Sequence, residues 1–572
     1  MNHGPETCLV PMDAPPPLLR DPPDDEWWRG LVIYQIYLRS FQDTNGDGIG
    51  DLPGVLERLD HIASLGVDAV WLSPFYASPQ KDFGYDVSDF RAIQPEMGTF
   101  EDFERLRDAV HQRGLKLFID FIPDHTSEEH AWFRESRSNR ENPKADWYVW
   151  ADAAPDGTAP NNWISSFGGP AWTWDPRRAQ FYFHPFLSCQ PALNLQNPKV
   201  LEAMLEELDF WLKQGVDGVR LDAVQCITCD MDLRPNPRVS HKGSPILLGG
   251  GPANPFARQL HLFDRDVPEA IDIFKAMATL ARRYDPPKML LGELSDVDSP
   301  GVCEKYTSRR DGLDATYDYD FVNTLPRVDR WLSLLVRQRD TLRYGWSFNV
   351  FSNQDSMRAL SNLGEWAVEL GHQDDMARLL NVLQTTLRGG SIIYQGQELG
   401  LTQADIPRDQ IVDPWGLHLW PDFKGRDGCR TPMPWEHAAA SGGFTTAAKP
   451  WLPLAQEHAE RAVDLQDSDP ASVLNFTRRF LAWRRAQSAL VLGDIRFLDV
   501  KAPLLAFERF DDRTNLLVVL NFSAEPRIFG PEMPLRSLDA PGLGGSLSRQ
   551  GISLPPFQAF IGQRLNAQAP EC

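Results

Sequence analysis

The chain of 572 residues has no apolar run of about 18 residues, the length that a membrane-spanning helix needs. It also has no excess of basic residues, because 57 lysines and arginines face 79 acidic side chains and leave a formal net charge of −22. This acidity argues against nucleic acids and anionic membranes as partners and suits a neutral or cationic small molecule. The N-terminal segment has no basic stretch followed by an apolar one, so we predict no secretory signal.

Cysteine is scarce, and its number is odd. The seven cysteines are scattered over the chain at Cys8, Cys189, Cys226, Cys229, Cys303, Cys429 and Cys572. Such a set fits reduced thiols in a cytoplasm better than a disulfide framework. Cys226 and Cys229 form a C-x-x-C pair, but no second pair or histidine cluster follows nearby in the sequence, which argues against a zinc site.

The composition is that of an ordinary globular protein, with 42% hydrophobic and 24% charged residues. The length exceeds what one hydrophobic core supports, so we expect more than one domain. Residues 1–26 are rich in proline and aspartate, which predicts an arm that lies outside the domains.

Short β-branched or aromatic runs alternate with amphipathic helical patterns along most of the chain. A helical pattern such as "GVLERLDHIASLG" follows a strand and ends at a glycine. Eight repeats of this unit predict an α/β fold built on a closed (β/α)8 TIM barrel, with its chemistry at the carboxyl ends of the strands. The eight predicted strands begin at Leu31, Asp68, Leu115, Gly215, Lys288, Leu313, Ser347 and Ser391.

Three segments break this rhythm. Residues 126–189, after the third strand, are rich in Trp, Pro, Asn and Gly and predict an irregular inserted domain. Residues 400–452 predict a further insertion after the eighth strand, so the barrel spans 27–125 and 190–490. From residue 491 to 572, short alternating runs such as "LLAFERF" and "NLLVVLNF" predict a C-terminal antiparallel β-domain.

Carboxylates stand at the ends of four predicted strands. They are Asp120 on the third strand, Asp222 on the fourth, Glu293 on the fifth and Asp355 on the seventh. Acids that converge at one mouth of a barrel repel one another, which is useful where one must stay ionised and its neighbour protonated. Two carboxyls about 5–5.5 Å apart in those two states are typical of retaining glycoside hydrolysis.

The sequence resembles glycoside hydrolase family 13, the α-amylase superfamily, and in particular its bacterial α-glucosidase and oligo-1,6-glucosidase branch. The resemblance extends from about Trp27 to the C-terminal β-domain. The motifs that carry it are "GYD" (84–86), "DFIPDHTS" (120–127), "QPALN" (190–194), "GVRLDAV" (218–224), "GELS" (292–295), "FSNQD" (351–355) and "RTPMPW" (430–435).

The resemblance implies a role for each catalytic residue. Asp222 would be the nucleophile that forms a glucosyl–enzyme intermediate, and Glu293 the acid and then the base. Asp355 would hold sugar hydroxyls and help to distort the ring. Arg220 lies two residues before Asp222, on the same strand face, and its charge would keep Asp222 ionised.

The resemblance also implies a substrate pocket. Asp86 and Arg430 would grip the glucose at the non-reducing end, His125 would bind its primary hydroxyl, and Tyr85 would stack against the ring. The family has His at the position of Gln354, where an amide can donate to sugar hydroxyls but carries no charge. Asp124 and Ala192 also depart from the family, which has Asn and Asp there.

The expected activity is retaining, exo-acting hydrolysis of short α-glucosides. Ala223 after the nucleophile goes in this branch with α-1,4 linkages such as that of maltose, and sucrose is a further candidate substrate. A transglucosylase or sucrose isomerase would use the same intermediate and stays open as an alternative. A non-catalytic accessory protein is the third reading, but Asp222, Glu293 and Asp355 are all present and no anchor is visible.

The loop "DTNGDGIGDL" after the first strand has the oxygen-rich pattern of half an EF-hand, without its final Glu. The resemblance implies a structural Ca²⁺ or Mg²⁺ bound there, with water in the place of that Glu. The implied ligands are Asp43, Asn45, Asp47, the carbonyl of Ile49, and Asp51. We expect a cytoplasmic monomer or homodimer that acts on a small α-glucoside, without a nucleic acid or membrane partner.

Overall fold

The computed structural model describes residues 26–240, 246–309, 311–531 and 534–565. The predicted N-terminal arm, apart from Glu26, lies outside these residues, as do Cys8 and Cys572. Among the described residues, none of the helices is both long and apolar enough to cross a membrane.

Eight parallel strands close into a barrel, which confirms the predicted fold class. Each predicted strand is present, and each pairs with its neighbour in the chain, while the last pairs with the first. In chain order they are β1 Val32–Ile36, β2 Ala69–Leu72, β3 Lys116–Phe121, β4 Gly218–Leu221, β5 Met289–Leu294, β6 Ala315–Asp318, β7 Ser347–Val350 and β8 Gly390–Tyr394.

Amphipathic helices surround the barrel and bury one face against it. The helix Phe100–Gln112 begins with a capping box between Thr99 and Asp102 and buries Phe103, Leu106 and Val110. The helices between strands are Leu52–Glu57, Leu59–Ser64, Phe100–Gln112, Pro198–Lys213, Ala270–Ala281, Ser299–Thr307, Asp320–Asn323, Val328–Thr341, Ala359–Glu369 and Gln373–Thr386. After β8 follow Pro414–Leu419, Gln456–Ala459, Val463–Ser468, Val473–Arg485 and Ser488–Val491.

Long connections at the carboxyl ends of the strands form the walls above the barrel. A two-stranded antiparallel hairpin, Tyr76–Ala77 with Asp89–Ile93, follows β2. Segment 126–189 after β3 contains the helix Ala131–Ser136 and a three-stranded sheet of Trp150–Ala151, Gln180–Phe183 and Trp172–Asp175. Its core is aromatic, because Trp163, Trp172 and Phe183 pack together.

Short 3₁₀ helices lie in the loops. They are Leu38–Ser40, Pro95–Met97, Val224–Cys226, Gly251–Ala253, Pro255–Arg258, Gln397–Leu399, Arg408–Gln410, Asp427–Cys429 and Ala440–Gly443.

The C-terminal part forms two antiparallel sheets. The larger has the strand order Asp494–Phe497, Leu504–Phe510, Asn515–Asn521, Ala559–Arg564 and Leu535–Ser537. The smaller has the order Arg527–Phe529, Gly551–Leu554 and Ser546–Ser548. One face of the larger sheet shares a core with the barrel helices, in which Trp331 packs against Phe522.

Candidate active site

A cavity of about 380 Å³ opens at the carboxyl ends of the barrel strands. This volume lies within the usual range for small-molecule sites. Three of its polar lining residues are Asp222, Glu293 and Asp355, which come from three different strands or the loops that follow them. Apolar side chains from the loops complete the wall, namely Phe167, Phe186, Leu247, Leu248, Trp415 and Phe423.

Arg220 on β4 is the fully buried hub of the site. Its Nη1 lies 2.5 Å from Asp120 Oδ1 and 2.6 Å from Asp222 Oδ1, and its Nη2 lies 2.6 Å from Glu293 Oε2. The register of β3 with β4 pairs Asp120 directly with Arg220, which sets the first of these contacts. One planar guanidinium therefore holds three carboxyls from three neighbouring strands.

The carboxyls of Asp222 and Glu293 lie at the same rim, far apart as they are in the chain. They contact the two terminal nitrogens of one guanidinium, so only its width and two ion-pair contacts separate them. Glu293 Oε2 also accepts a hydrogen bond from the amide of Ala223, 3.0 Å away. Ala223 has a φ of 39°, in the left-handed region that is uncommon for residues other than glycine. This local turn after Asp222 points the Ala223 amide at Glu293.

Two tyrosines of the β6 segment orient Glu293. The hydroxyl of Tyr317 donates to Glu293 Oε1 over 3.2 Å, and the hydroxyl of Tyr319 donates to the same oxygen. Tyr317 in turn accepts from Arg220 Nε, 3.0 Å away. Two groups of the β6 segment thus contact Oε1 of Glu293, and two groups of the β4 segment contact Oε2.

The charges at this hub do not balance. Three carboxyls share one guanidinium, so full ionisation would leave two negative charges uncompensated in a buried site. Burial raises the pKa of Asp120 to about 7, although Arg220 acts in the opposite direction. Burial also raises the pKa of Asp222 above its usual range, again against Arg220. Burial and the repulsion between the carboxyls thus favour a shared proton on the cluster, whereas Arg220 favours the ionised forms of Asp120 and Asp222.

Asp355 is bound on both of its oxygens. Arg426 Nη1 and Arg430 Nη2 donate to Oδ1 over 3.0 Å and 2.8 Å. The amide of Gln354 donates to Oδ2 over 2.6 Å. The carboxylate has about four lone-pair sites and three of these donors, so Oδ2 keeps acceptor capacity for a hydroxyl group of a ligand.

Asp86 and Arg430, which were predicted to bind the terminal glucose, have other contacts in the structure. Asp86 is fully buried and accepts hydrogen bonds from Ser78 Oγ and from the amides of Lys81 and Asp82. The acid of this loop that lines the cavity is Asp82, and its Oδ1 lies 2.8 Å from Nη2 of Arg426. Arg430 binds Asp355 and the carbonyl of Gln354. We therefore correct the proposed pair from Asp86 and Arg430 to Asp82 and Arg426.

Tyr85 and His125 both line the cavity. The hydroxyl of Tyr85 donates to Asp120 Oδ2 over 3.2 Å, so the ring is anchored to the Arg220 hub. His125 Nε2 lies 3.0 Å from the carbonyl of Tyr85, and Nδ1 lies 3.0 Å from Asp124 Oδ2. Nδ1 of the fully buried His125 thus faces an acceptor, and Nε2 faces the Tyr85 carbonyl together with the amide nitrogen of Gln190, 3.2 Å away. One donor atom of each of Asp124, His125 and Asp222 lies within 4.8 Å of the others.

The loop after β1 folds around its own oxygen atoms. Asp43 accepts from the amides of Gly46 and Gly48, each at 2.8 Å, and these glycines have φ of 78° and 91°. Asn45 accepts from the Asp47 amide over 2.9 Å, and Asp47 accepts from the Ile49 amide over 2.8 Å.

Asp51 closes this loop and caps the next helix, because it accepts from the amide of Gly54 over 2.7 Å. Carboxylate, amide and carbonyl oxygens are the hard donors that Ca²⁺ and Mg²⁺ prefer. The donor types of this loop fit such an ion.

Sequence reasoning missed four residues of the site: Asp82, Tyr317, Tyr319 and Arg426. The two tyrosines stand in "ATYDYDF" at alternate positions that share a strand face, so their spacing did carry a signal. Asp82 and Arg426 lie in loops, where periodicity says nothing about side-chain direction.

Comparison with known proteins relates this chain to an enzyme family. The family model described as alpha amylase, catalytic domain, matches residues 35–493. A probable alpha-glucosidase of Rhizobium meliloti (strain 1021) is 45% identical over 544 residues, which cover 94% of this chain and 97% of the relative.

Two solved structures are similar over nearly their whole length. The alpha-glucosyl transfer enzyme XgtA has a TM-score of 0.90 at 44% identity and covers 94% of this chain and 99% of its own. The trehalulose synthase MutB from Pseudomonas mesoacidophila MX-45 has a TM-score of 0.83 at 32% identity, with the same coverage.

Proposed function

The chain belongs to the α-amylase family of glycoside hydrolases, and from this premise we propose that it is a retaining, exo-acting α-glucosidase of short α-glucosides. The observation that carries the proposal is the placing of Asp222 and Glu293 on the two terminal nitrogens of Arg220. Two carboxyls held this close leave no room for a water between them and a sugar, which favours the retaining geometry.

In the first step, a carboxylate oxygen of Asp222 attacks the anomeric carbon. The glycosidic bond breaks as Glu293 gives its proton to the leaving oxygen, and a glucosyl ester of Asp222 forms. Arg220 forms ion pairs with both Asp222 and Glu293, and the hydroxyl of Tyr319 holds Glu293 in place by a hydrogen bond. In the second step, Glu293 takes a proton from water, the water oxygen bonds to the anomeric carbon, and the ester bond to Asp222 breaks.

An ionic network in the cavity wall supports exo-attack. Asp82, Arg426 and Asp355 form a connected ionic wall there that suits the hydroxyls of one terminal glucose. Ala223 lines the cavity directly beside Asp222, and by the resemblance it favours an α-1,4 link as in maltose, with sucrose as a further substrate.

The roles of the two carboxyls are tested by two isosteric variants. We expect Asp222→Asn to lose hydrolysis of both maltose and 4-nitrophenyl α-glucoside, because the ester cannot form. Glu293→Gln is expected to lose about 10²–10⁴-fold on maltose. It should lose far less in the first step on the aryl glucoside, whose leaving group needs no proton.

The measurements are kcat/KM on both substrates and the anomeric configuration of the first glucose released, by NMR. Retained α-configuration is expected. Inverted product, or an Asp222→Asn variant with wild-type activity, would contradict the proposal. A preference for isomaltose over maltose would contradict the linkage.

Glucosyl transfer is the second candidate, and the apolar wall of the cavity favours it. Leu247 and Met357 are 36% and 47% exposed, and both line the cavity together with Phe423 and Trp415. An apolar wall disfavours water and suits an organic acceptor for the glucosyl ester. Two similar structures are named as a transfer enzyme and as a trehalulose synthase. Product analysis on maltose and sucrose would show transfer or isomer products in place of free glucose.

We also propose that Asp43, Asn45, Asp47, Ile49 and Asp51 hold a structural Ca²⁺ or Mg²⁺. The ion would brace the loop between β1 and the first helix without taking part in the chemistry. Added Ca²⁺ is expected to raise the melting temperature of EDTA-treated protein, and Asp47→Ala should remove that rise. Asp60→Ala, at a similarly exposed position, serves as the matched control. An equal rise in all three proteins would contradict the assignment.

We also propose that the enzyme is cytoplasmic and is a monomer or a homodimer. This proposal is supported by the five cysteines of the described residues, which are free and buried, and by the net charge of −22. Light scattering after gel filtration would give the oligomeric state.

A further inference from the structure

Gln354 has a different place in the structure from the one that the resemblance implies. It follows β7, its side chain is fully buried, and its neighbours Tyr85 and Asp355 line the cavity. Its amide nitrogen donates to the Tyr85 hydroxyl over 2.8 Å and to Asp355 Oδ2 over 2.6 Å. Its amide oxygen accepts from the side-chain amide of Gln35 on β1. Both amide hydrogens are therefore used within the protein.

These contacts join two halves of the site. On one side is Asp355, with the two arginines Arg426 and Arg430 on its other oxygen. On the other side, Tyr85 donates to Asp120, and Asp120 contacts Arg220, which holds the nucleophile and the acid. Gln354 is the junction between these two networks.

We propose that Gln354 is a positioning residue that ties Asp355 to the Tyr85–Asp120–Arg220 network and does not itself contact the sugar. The proposal rests on the α-glucosidase function, because Asp355 is the group through which Gln354 acts on the substrate. A sugar hydroxyl could reach the Gln354 amide only by displacing Tyr85 or Asp355 from it.

The chemistry of the amide explains why a neutral residue suits this junction. An amide offers two donor hydrogens and one acceptor at every pH at which the protein is folded. A neutral imidazole offers one donor and one acceptor, and an imidazolium offers two donors and no acceptor. A histidine at this position would make its contacts only in part, and its set of contacts would change with pH.

A double-mutant cycle tests whether Gln354 acts through Asp355. Gln354→Met keeps the length of the side chain and removes its hydrogen bonds. We expect it to lower kcat/KM about 10- to 100-fold, the usual effect of losing a hydrogen bond to a charged group. In an Asp355→Asn background, the same substitution is expected to cost less than about threefold.

An equal loss in both backgrounds would overturn the proposal, because a direct contact with the sugar survives the change at Asp355. The pH profile is a second readout, which a purely structural role would not move. Gln354→His is expected to add a titration to kcat/KM between about pH 5 and 8, absent from wild type and from Gln354→Met. A Gln354→His profile with the wild-type shape would count equally against the proposal.

Two further measurements keep the outcome clear. If Gln354→Met fails to fold, Gln354→Glu is the substitute, because it keeps the shape of the side chain. It should lose more activity than Gln354→Met, because it places a second carboxylate next to Asp355. Binding of glucose by calorimetry separates the two proposals. If the wild-type protein had no hydrolytic activity, the proposed function would be wrong. Non-additive losses of glucose affinity in Gln354→Met and Asp355→Asn would still support the positioning role of Gln354. Additive losses of affinity would oppose it.

Discussion

At the scale of single residues, the site is shaped by an excess of acid around few cations. Arg220 serves Asp120, Asp222 and Glu293, and Asp124 adds a fourth buried carboxyl next to Asp222. Asp124 is balanced locally, because its Oδ2 lies 3.0 Å from Nδ1 of His125. Nε2 of His125 lies 3.0 Å from the Tyr85 carbonyl and 3.2 Å from the amide nitrogen of Gln190, so a proton on Nδ1 suits Asp124 while Nε2 has both an acceptor and a donor beside it.

This pairing predicts how stability depends on pH. Burial lowers the pKa of His125, but Asp124, the Tyr85 carbonyl and Asp82 together raise it by more, so the folded pKa lies above the usual value of about 6.5. A raised histidine pKa contributes stability that is complete below about pH 6.5 and is lost as pH rises through the folded pKa. Asp124→Asn removes the negative charge next to His125. We therefore expect the stability advantage of wild type over Asp124→Asn to shrink as pH rises from about 6 to 9.

The measurement is the free energy of unfolding in denaturant at several pH values. Charged groups that face His125 from other elements are Asp82 and Asp222, so the salt concentration is kept constant. The control is Glu202→Gln on an exposed helix face, which should run parallel to wild type. Parallel curves for Asp124→Asn would contradict the pairing.

At the scale of secondary-structure elements, strand register decides which side chains meet. Pairing of β3 with β4 sets Asp120 beside Arg220, and pairing of β5 with β6 sets Glu293 beside Tyr317. The other end of β4 is held by Asp217, which accepts from the amide of Leu117 on β3 over 2.9 Å. His111 and Lys116 contact the same carboxylate at 2.7 Å and 3.1 Å. This joint, formed by Asp217 with Leu117, His111 and Lys116, links β3, β4 and the helix Phe100–Gln112 at the end of the strands opposite to the site.

Asp217→Asn is expected to lower the free energy of unfolding by about 1–3 kcal/mol at pH 7, because it weakens three hydrogen bonds to a largely buried group. Burial raises the pKa of Asp217, but His111, the Leu117 amide and Lys116 lower it by more. A depressed carboxyl pKa contributes stability that is present above about pH 4 and is lost as pH falls through the folded pKa. The difference between the two proteins should therefore close in acid, as followed by denaturant unfolding. A constant difference down to pH 3 would be inconsistent with this joint.

At the scale of the whole molecule, the C-terminal sheet is fastened to the barrel by buried arginines. Arg509 on the strand Leu504–Phe510 donates from Nη1 to the carbonyls of Thr386 and Leu387, each at 2.6 Å, at the end of a barrel helix. Its Nη2 donates to the Gly493 carbonyl over 2.8 Å. These helix-end carbonyls have no partner within their own helix, so the sheet supplies the missing donors.

Arg509→Met is expected to destabilise the protein by about 3 kcal/mol, because it leaves several buried carbonyls without donors. Arg509→Lys should recover only part of this, since an ammonium group cannot reproduce the planar fork. Arg527→Met, at an exposed position of the smaller sheet, should stay within about 0.5 kcal/mol of wild type. Denaturant unfolding measures all three. An Arg509→Met protein as stable as Arg527→Met would show that the two parts dock by other contacts.

The sequence by itself determined the eight strands, their order and the residues at their ends. This was possible because strand and helix periods, glycine stops and barrel closure are local properties that repeat. It placed Arg220, Asp222 and Glu293 on neighbouring strands, where the structure brings them together. The alternation of Tyr317 and Tyr319 was readable in the same way.

Only the tertiary structure decided which loop residues complete the site. Asp82, and not Asp86, lines the cavity, and it forms an ion pair with Arg426, which lies 344 residues further along the chain. The tertiary structure also set Gln354 between Tyr85 and Asp355 instead of opening it to the cavity. The physical reason is that the direction of a loop side chain depends on partners from distant segments, and no period in the sequence reports those partners.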